Sequence, residues 1–463
     1  MSDPPSPEGG ASHLALAERA LAALPAGASG QATATRERSL TLRFAHSRPT
    51  QATSVDDVTV ETTVVADGHT GAALTNRLDD DSLARCARSA VAAAEASARL
   101  DLTGSYPGLP GPAPTRAHDG HDVDTARLDP ATGGAALEAA FAPADSRGTE
   151  AHGIWTAGEV TTAIASTTGT ACDDRITDAF MKVVAIAPTG RSGYAAQTAV
   201  SAEVLDPAGL ATRAASKAAM GGGPAELPAG EYPVVFERHA VAELIDWLGR
   251  VALGGREFAE DRSALCGRLG RRVAAARINL SDSPGYRGTL ARAFDAEGVP
   301  KAPLPLIEDG VARAVVHDTR SAAAAGVAST GHALAPAGIG VGPAPTNMVL
   351  VGGGAADEEA LCRPIERGVY VTRLWYVNPV RPKETLLTGV TRDGTFLIED
   401  GQVTRPLADL RFTDAVLPIL GRVEELASGP ELTSSGELYG RRFATGVVCP
   451  ALRASAVRFT ARA

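Results

Sequence analysis

Residues 232–253, YPVVFERHAVAELIDWLGRVAL, carry the clearest local pattern in the chain. Tyr232 to Phe236 are mostly β-branched and aromatic residues, a composition typical of a strand. The residues that follow place apolar side chains at helical spacing, at Val241, Leu244, Ile245, Leu248, Val251 and Ala252. The opposite face of this predicted helix carries His239, Glu243, Asp246 and Arg250. A strand followed by an amphipathic helix therefore opens a new structural unit here.

The chain from Gly230 to Ala463 adds many short strand signals that are bounded by turns. They lie at residues 306–310, 348–351, 368–376, 396–401 and 457–460. Strands outnumber helices in this part and do not alternate steadily with them, which favours an α+β fold over a doubly wound parallel sheet. We therefore predict that residues 230–463 form one large, sheet-rich C-terminal domain.

Two smaller units precede this domain. Residues 13–104 follow a pattern of helix, strand, hairpin and helix, which predicts an N-terminal α/β domain. Residues 125–223 combine short Thr/Val/Ala-rich strands with an Ala-rich helix and are predicted to form a central domain. Between the two units, residues 105–124 begin with SYPGLPGPAP, which predicts a linker or long surface loop. Residues 1–12 contain few apolar side chains, and we predict a disordered tail there.

Composition restricts the partners and the compartment. The 463 residues carry 44 Lys and Arg against 54 Asp and Glu, a net charge of −10, which argues against nucleic acid or an anionic membrane as a partner. The five cysteines lie far apart without a CxxC pair, which favours a reducing compartment over a disulfide or zinc-ribbon framework. No apolar run approaches the ~20 residues of a membrane helix. We predict a cytoplasmic protein.

Two clusters contain residue types that can bind a metal ion. His239 and Glu243 lie four residues apart on one helix, but no third His or Cys lies near them in the sequence. We expect a solvated helix face, with Glu243 and Asp246 forming ion pairs with Arg250 or His239. Residues 118–124, HDGHDVD, hold two imidazoles and three carboxylates. They lie in the predicted loop, where nothing fixes the orientation of the ligands, so we expect adventitious binding at most.

Other local motifs leave the chemistry open. Residues 352–354, GGG, follow a strand as a phosphate loop does, but no Lys-Ser/Thr follows and Asp357 begins the next helix, so we predict a simple turn. No GxSxG motif is present, and the cysteines have no neighbours that would activate a thiolate. His317, Asp318 and His332 are candidates for a base and its neighbour, but the sequence identifies no partner for either histidine.

Several blocks in the last domain occur in an order that resembles the TldD/PmbA family of modulator-of-gyrase metallopeptidases. These blocks are FDAEGVP (294–300), LIEDGV (306–311), STG (329–331), PTNMVL (345–350), IERGVYV (365–371), VNPV (377–380) and GTFLIEDGQVTRP (394–406). In the first unit the resemblance includes residues 38–40, the hairpin at Asp67-Gly68 and the helix of residues 79–100. The resemblance runs from about Ala17 to the C-terminus.

The family contains TldD-type chains, which bind zinc through an HExxxH motif, and TldE (PmbA) chains, which lack it. The resemblance places the first motif His on Ile245, the Glu on Asp246 and the second His on Arg250. Ile245 cannot ligate a metal, and Arg250 is permanently cationic. No His occurs between Ala240 and Val316, so the motif is not displaced. Cys449 lies in a segment that is similar to the terminal strand of TldE-type chains, and we do not assign it the role of a third ligand.

The resemblance therefore implies a TldE-like subunit of a peptidase complex. It implies no zinc and no catalytic residue in this chain, with zinc in a TldD-type partner and an extended peptide as substrate. We expect a heterodimer, or a homodimer when the chain is alone, and groove candidates at Arg373, Trp375, Tyr376 and Asn378. Two alternatives stay open: a stand-alone diverged amide hydrolase built around His317, Asp318 or His332, and a non-catalytic homodimeric peptide-binding protein.

Overall fold

The structure, a computed structural model, describes residues 12–100, 105–434 and 440–462. Residues 1–11 of the predicted disordered tail lie outside the described residues. Ser12, the last residue of that predicted tail, is the N-cap of the first helix, because its hydroxyl accepts a hydrogen bond from the Ala15 amide at 3.1 Å. The tail prediction is therefore wrong for Ser12.

The described residues of the first half of the chain form one six-stranded antiparallel sheet and four α-helices. In chain order these elements are α1 (His13–Ala22), β1 (Ser29–Ala45), β2 (Arg48–Ala66), β3 (His69–Thr75), α2 (Asp80–Leu100), α3 (Pro130–Asp145), β4 (Glu150–Ser166), β5 (Ala171–Ile186), β6 (Ser192–Ala199) and α4 (Pro207–Ala218). The strand order is β3-β2-β1-β4-β5-β6. β1 pairs with β4 from Gln31–Ser166 to Phe44–Gly153, so the predicted N-terminal and central units share a single sheet.

The Pro/Gly-rich connector at residues 105–124 contains no strand or helix, as its prolines predict. It is nevertheless fixed to the rest of the molecule. Tyr106 is buried, its amide donates to the Gly68 carbonyl at 2.6 Å, and its hydroxyl donates to Glu297 at 3.1 Å. The connector is therefore an ordered surface loop and not a free linker.

The two faces of the first sheet have different neighbours, because successive side chains of a strand point to opposite faces. One face packs against the helices through small side chains such as Ala34 of β1 and Ala20 of α1. The other face meets the C-terminal half of the chain: the Gln31 side-chain amide donates to the Ala296 carbonyl at 2.8 Å, and the Ser192 hydroxyl to Asp393 at 2.5 Å. The sheet is thus the layer between the helices and the last domain.

We expect Gly71→Ala to destabilise the protein by about 2–3 kcal/mol, because α2 lies directly on β3 at this position. A Cβ atom on Gly71 would lie 2.1 Å from the Ala94 amide nitrogen and 2.7 Å from the Ala90 carbonyl oxygen, and backbone atoms of a helix cannot move aside independently. The matched control is Gly111→Ala, where a Cβ meets nothing within 4 Å. Urea denaturation followed by circular dichroism checks both variants, and equal stability for the two would contradict this packing argument.

The C-terminal domain contains the remaining elements. In chain order they are β7 (Gly230–Phe236), α5 (Arg238–Ala252), α6 (Gly255–Ala259), β8 (Leu280–Asp282), β9 (Leu304–Glu308), β10 (Val311–Ala312), α7 (Thr319–Ala325), β11 (Asn347–Leu350), α8 (Glu358–Cys362), β12 (Arg367–Arg381), β13 (Leu386–Glu399), β14 (Gln402–Pro406), β15 (Leu410–Ala415), α9 (Val416–Gly421), β16 (Val423–Leu426), β17 (Glu431–Thr433), β18 (Gly446–Cys449) and β19 (Leu452–Arg462). One sheet has the order β10-β9-β8-β11-β18-β17, and the other has the order β12-β7-β19-β15-β13-β14. Because β12 also pairs with β13, five strands of the second sheet close into a barrel.

Helix α5 is the link between these two sheets. Its apolar stripe, which includes Leu244, Ile245 and Leu248, is fully buried in the largest core cluster together with strand residues of both sheets. The predicted α+β class is confirmed. Within the described ranges, no helix combines the length and the apolar character needed to cross a membrane.

Candidate functional site

A groove runs between the first sheet and the C-terminal domain. It consists of three adjoining cavities of about 540, 310 and 160 Å³, which we call the first, second and third cavities of the groove. Asp246 and Arg250 of α5 line both the first and the second cavity, and Thr346 and Phe443 line both the second and the third. The first sheet contributes Tyr194, Asp178 and Phe180 to the opposite wall. Because the cavities share these side chains, they form one continuous groove between the two halves of the molecule.

The polar face of α5 forms one wall of the first cavity. Trp247 donates its indole N–H to the Glu243 carboxylate at 3.0 Å, and Arg250 Nε donates to Asp246 at 2.7 Å. Burial, with the nearby charge of Asp246, raises the pKa of Glu243 to about 7. The Asp246–Arg250 pair agrees with the predicted ion pairing on this face. Glu243 faces the cavity and is only partly exposed, so the prediction of a solvated face with ion pairs is wrong for Glu243.

His239 stands at the start of α5 and also lines the first cavity. Its ring packs edge-on against Tyr194, with centroids 5.0 Å apart. Burial, together with the positive charges of Arg238 and Lys217, lowers the pKa of His239 well below its usual value. The imidazole is therefore neutral at physiological pH and cannot form the ion pair that the sequence predicted for it.

We expect Glu243→Gln to stabilise the protein more at pH 8 than at pH 5, by about 1–3 kcal/mol. The pKa of Glu243 is about 7 in the folded state and near the ordinary 4.5 in the unfolded state. Between these values the folded state holds a proton that the unfolded state releases, so the stability of the wild-type protein falls as pH rises through this window. Glutamine does not ionise and avoids this loss. Urea denaturation at both pH values measures the effect, with exposed Glu18→Gln as control, and an equal gain at both pH values would contradict it.

Three of the four predicted groove residues line the first cavity. Arg373 forms an ion pair with Asp393, with Nε 2.8 Å from the carboxylate, and its guanidinium lies over the rings of Tyr194 at 4.4 Å and Trp375 at 4.8 Å. Tyr376 is 78% exposed and has a φ angle of 53°, in a stretch of β12 where the pairing with β13 is irregular. A bulky residue rarely adopts this conformation, and a bulge re-aims side chains.

Asn378 is not among the residues that line the cavities. Its side-chain amide donates to the carbonyl of Tyr376 at 2.9 Å, which holds the irregular backbone of β12 in place. Its position therefore supports the bulge that directs Tyr376 into the cavity.

The positions that the family resemblance assigns to zinc binding do not offer a zinc ligand set. Ile245 is fully buried in the core and has no donor atom, while Asp246 and Arg250 bind each other. Cys449 is buried, its Sγ donates to the Arg238 carbonyl at 3.4 Å, and burial raises the pKa of its thiol to about 12. A zinc ion requires imidazole, carboxylate or thiolate ligands, so these residues do not fit it.

The remaining predicted candidates are separated by the fold. His118 binds Asp174 and His121 binds Glu159, each at 2.8 Å, so residues 118–124 are anchored to strands β4 and β5 at different points and do not form one metal site. Asp318 caps α7 by accepting a hydrogen bond from the Ser321 amide at 2.8 Å. His118, His121 and Asp318 therefore have structural roles. The prediction that nothing fixes the side chains of residues 118–124 is wrong.

His332 reaches the third cavity and belongs to a buried charged cluster that the sequence did not reveal. His332 Nε2 lies 3.1 Å from Asp282 Oδ1, and Lys301 Nζ lies 3.4 Å from the same oxygen. His317, in contrast, faces Ser321 at 3.2 Å. The members of the cluster come from distant positions in the chain, and no local spacing connects them.

Three possible metal ligands converge at His46, Glu150 and His152, the single such group within the described residues. His46 Nδ1 lies 2.7 Å and His152 Nε2 lies 3.8 Å from the same Glu150 oxygen. The group lies at the β1–β2 turn and the start of β4, and its members do not line the groove. Only the alternation of Glu150 and His152 on one face of a strand signals it in the sequence.

Comparison with known proteins agrees with this architecture along most of the chain. Three family models match in order: PmbA/TldA metallopeptidase domain 1 at residues 33–94, the central domain at residues 134–221 and the C-terminal domain at residues 229–461. A metalloprotease of Methanothermobacter thermautotrophicus is 26% identical over 204 residues, which is 43% of this chain and 44% of that protein. A metalloprotease PmbA homolog of Haemophilus influenzae is 25% identical over 215 residues, 46% of this chain and 44% of that protein. These alignments span less than half the length of each relative.

Two solved structures share the fold. TldE from Thermococcus kodakarensis is 19% identical with a TM-score of 0.84, and the match covers 97% of this chain and 100% of that one. A protein described as a putative modulator of a DNA gyrase from Thermotoga maritima is 21% identical with a TM-score of 0.82, covering 96% of this chain and 99% of that one. At these identities the similarity establishes the fold alone.

Proposed function

The chain belongs to the PmbA/TldD family of metallopeptidases, and on that premise we propose that it is a TldE-like subunit without zinc. In this proposal it holds an extended, unfolded peptide in the groove while a zinc-bearing TldD-type partner hydrolyses it. The observation that carries the proposal is the α5 face. The helix that would hold the zinc in a TldD-type chain presents Glu243, Trp247 and an Asp246–Arg250 ion pair to the cavity.

The chemistry of these side chains supports a binding role and not a hydrolytic one. Arg250 has no acceptor or ligand atom, and its charge repels a divalent cation. Asp246 and Glu243 are carboxylates near the position that the general base has in a TldD-type chain. A general base there takes a proton from a zinc-bound water, and the residues of this chain do not fit the zinc that would hold such a water. We therefore assign no proton transfer to this chain.

The walls of the first cavity suit an extended peptide. Exposed Tyr376 and Trp375, on which the Arg373 guanidinium stacks, offer planar aromatic surfaces, while Thr433 and Ser434 at the end of β17 offer polar groups. A peptide that binds along strand ends gains affinity mainly through main-chain hydrogen bonds, with little dependence on its sequence. This mode fits a subunit that presents many different unfolded peptides to a partner.

The test is metal content and peptidase activity of the chain alone and after co-expression with a TldD-type chain from the same genome. We expect zinc and cleavage of an internally quenched unfolded peptide only in a co-purified complex. Both should disappear when the HExxxH glutamate and histidines of the partner are replaced. The double variant His46→Asn/His152→Gln of this chain is the control for metal held by the surface group. Stoichiometric zinc in that double variant, or cleavage by the lone chain, would overturn the proposal.

The same preparations, the chain alone and the chain co-expressed with its partner, also test the two alternative functions. A stand-alone amide hydrolase would now depend on His332, because Asp318 and His317 are engaged at α7. It predicts cleavage by the lone chain that is lost in His332→Gln. A non-catalytic homodimer predicts peptide binding by a stable dimer and no complex with the TldD-type chain, which size-exclusion chromatography with light scattering measures.

A further inference from the structure

Arg292 lines the third cavity and carries a charge that nothing in the described chain neutralises directly. Its guanidinium lies over the ring of Phe443 at 4.0 Å, and Nη2 donates to the Ala444 carbonyl at 2.9 Å. The Nε atom is buried and has no hydrogen-bond partner. No carboxylate of residues 12–100, 105–434 or 440–462 lies within 4.0 Å of this guanidinium. Burial lowers the pKa of Arg292 to about 10, so the side chain is still cationic at neutral pH.

The other buried cations of this region have counter-ions. Arg442 binds Asp178 at 2.6 Å, and Lys301 faces Asp282 at 3.4 Å. Arg441, which also lines the third cavity, is exposed to solvent, so among these three cations that the protein shields from water only Arg292 lacks a counter-ion in the described residues.

The carboxylates around Arg292 are committed elsewhere. Asp178 and Asp174 are the two whose charges act on the Arg292 guanidinium, and Asp178 is already paired with Arg442. Asp174 uses its second oxygen to accept the Ala293 amide at 2.9 Å. Asp295, which also lines the third cavity, accepts three backbone amides, those of Glu297, Val299 and Ala333. Neither can turn to Arg292 without leaving buried backbone N–H groups unpaired.

A partly buried cation without a counter-ion is costly, and a planar guanidinium matches a carboxylate with two parallel hydrogen bonds. We propose that Arg292 binds a carboxylate of the ligand in the groove, either the free C-terminus of a peptide or an acidic side chain. This inference rests on the proposed peptide-binding function, and it adds a charge preference at one end of the groove. Exposed Phe443 stacks on the guanidinium and lines both the second and the third cavity, so it would guide the ligand toward Arg292.

The size of the third cavity agrees with such a ligand. Its volume of about 160 Å³ equals that of about five water molecules at ~30 Å³ each. This is room for the end of one peptide residue and not for a long segment. The second cavity adjoins it and provides the path along which the rest of an extended peptide would run.

The experiment uses fluorescence anisotropy with three kinds of labelled decapeptide built from Ser, Ala and Tyr. One has a free C-terminal carboxylate, one has a C-terminal amide, and one is an amidated set with a single Glu at successive positions. The full-length chain is used alone and in complex with an inactive TldD-type partner. We expect the free acid or one Glu-containing peptide to bind about tenfold more tightly than the neutral amide. The preferred peptide identifies the source of the carboxylate.

The variants separate this inference from the proposed function. We expect Arg292→Gln to remove the preference and Arg292→Lys to keep part of it, because lysine keeps the charge but not the fork geometry. Arg411→Gln, which replaces an exposed arginine of β15 that does not line the three cavities of the groove, should keep the preference. Circular dichroism of each variant verifies folding. Equal affinity for all three peptides, or a preference that survives Arg292→Gln, would overturn the inference and leave the proposed function standing. Failure of every peptide to bind chain and complex would overturn both.

Discussion

We expect Asp282→Ala to lower the free energy of unfolding by about 3–5 kcal/mol, because it leaves a buried positive charge without a partner. Asp282 ends β8 and is fully buried. One carboxylate oxygen accepts the amides of Thr346 and Asn347, both at 2.8 Å, and the other faces Lys301 and His332. Alanine removes both acceptors at once. Urea denaturation at pH 7 measures the loss.

The pH dependence of the same group gives a second readout. Burial alone would raise the pKa of Asp282, but Lys301 and His332 more than offset it and hold the pKa well below its usual value. A carboxyl with a depressed folded pKa contributes stability that is present above the unfolded pKa of ~4 and is lost as the pH falls below it. The wild-type protein should therefore lose stability on acidification by more than Asp282→Ala does.

The matched controls isolate the charge. Asp282→Asn keeps an oxygen acceptor for the two amides but not the charge, so we expect an intermediate loss. Lys301→Met removes the other charge, and in the double variant the loss should be smaller than the sum of the single losses by more than 1 kcal/mol. Additive losses, or a loss below 1 kcal/mol for Asp282→Ala, would contradict the view that this cluster is a coupled charge network.

Local pattern was enough to predict many elements. The apolar spacing from Val241 to Ala252 predicts a helix over residues 237–253, which extends one residue beyond α5 at each end, and the hairpin predicted at Asp67-Gly68 is the turn between β2 and β3. Helix α3 was missed because Gly133, Gly134 and Pro143 weaken a helical pattern, although its N-cap Asp129 accepts the Ala131 amide at 2.9 Å. The packing of the helix against the sheet outweighs the low propensity of these residues.

Non-local pairing could not be predicted. The prolines of residues 105–124 suggested a boundary, yet β1 and β4 on either side of them pair along their whole length. The groove also depends on the pairing of segments that are distant in the sequence. Arg373 and Trp375 were identified because they follow a strand signal, but only the parallel pairing of β12 with β7 brings them opposite α5. Arg292 and Asp282 have no sequence signal, since their importance lies in which partners they have or lack after folding.

We expect Arg442→Met to destabilise the protein by about 3–5 kcal/mol and to weaken peptide binding as well. Arg442 is 3% exposed and forms a two-point ion pair with Asp178 of β5 at 2.6 and 2.7 Å. Its Nη1 donates to the Thr156 hydroxyl at 3.1 Å, and its backbone amide donates to Glu37 at 2.8 Å. It therefore ties a segment of the C-terminal domain to three strands of the first sheet.

Gly158 of β4 makes this contact possible, because a Cβ there would lie 2.3 Å from Arg442 Nε. Gly158→Ala should consequently lower the free energy of unfolding by a large part of the amount lost in Arg442→Met. The double variant should be only slightly less stable than Arg442→Met, since both substitutions disrupt the same contact. Asp178→Ala leaves the buried guanidinium unpaired and should cost at least as much as Arg442→Met. Asp178 lines the second cavity and Arg442 lines the third, so the groove loses part of its wall when the pair is broken. Urea denaturation and fluorescence anisotropy with labelled peptides, both on the same variants, test this coupling. Arg442→Met is expected to lower both stability and peptide affinity. If it is destabilised but binds peptide with unchanged affinity at low temperature, the ion pair stabilises the fold without shaping the groove.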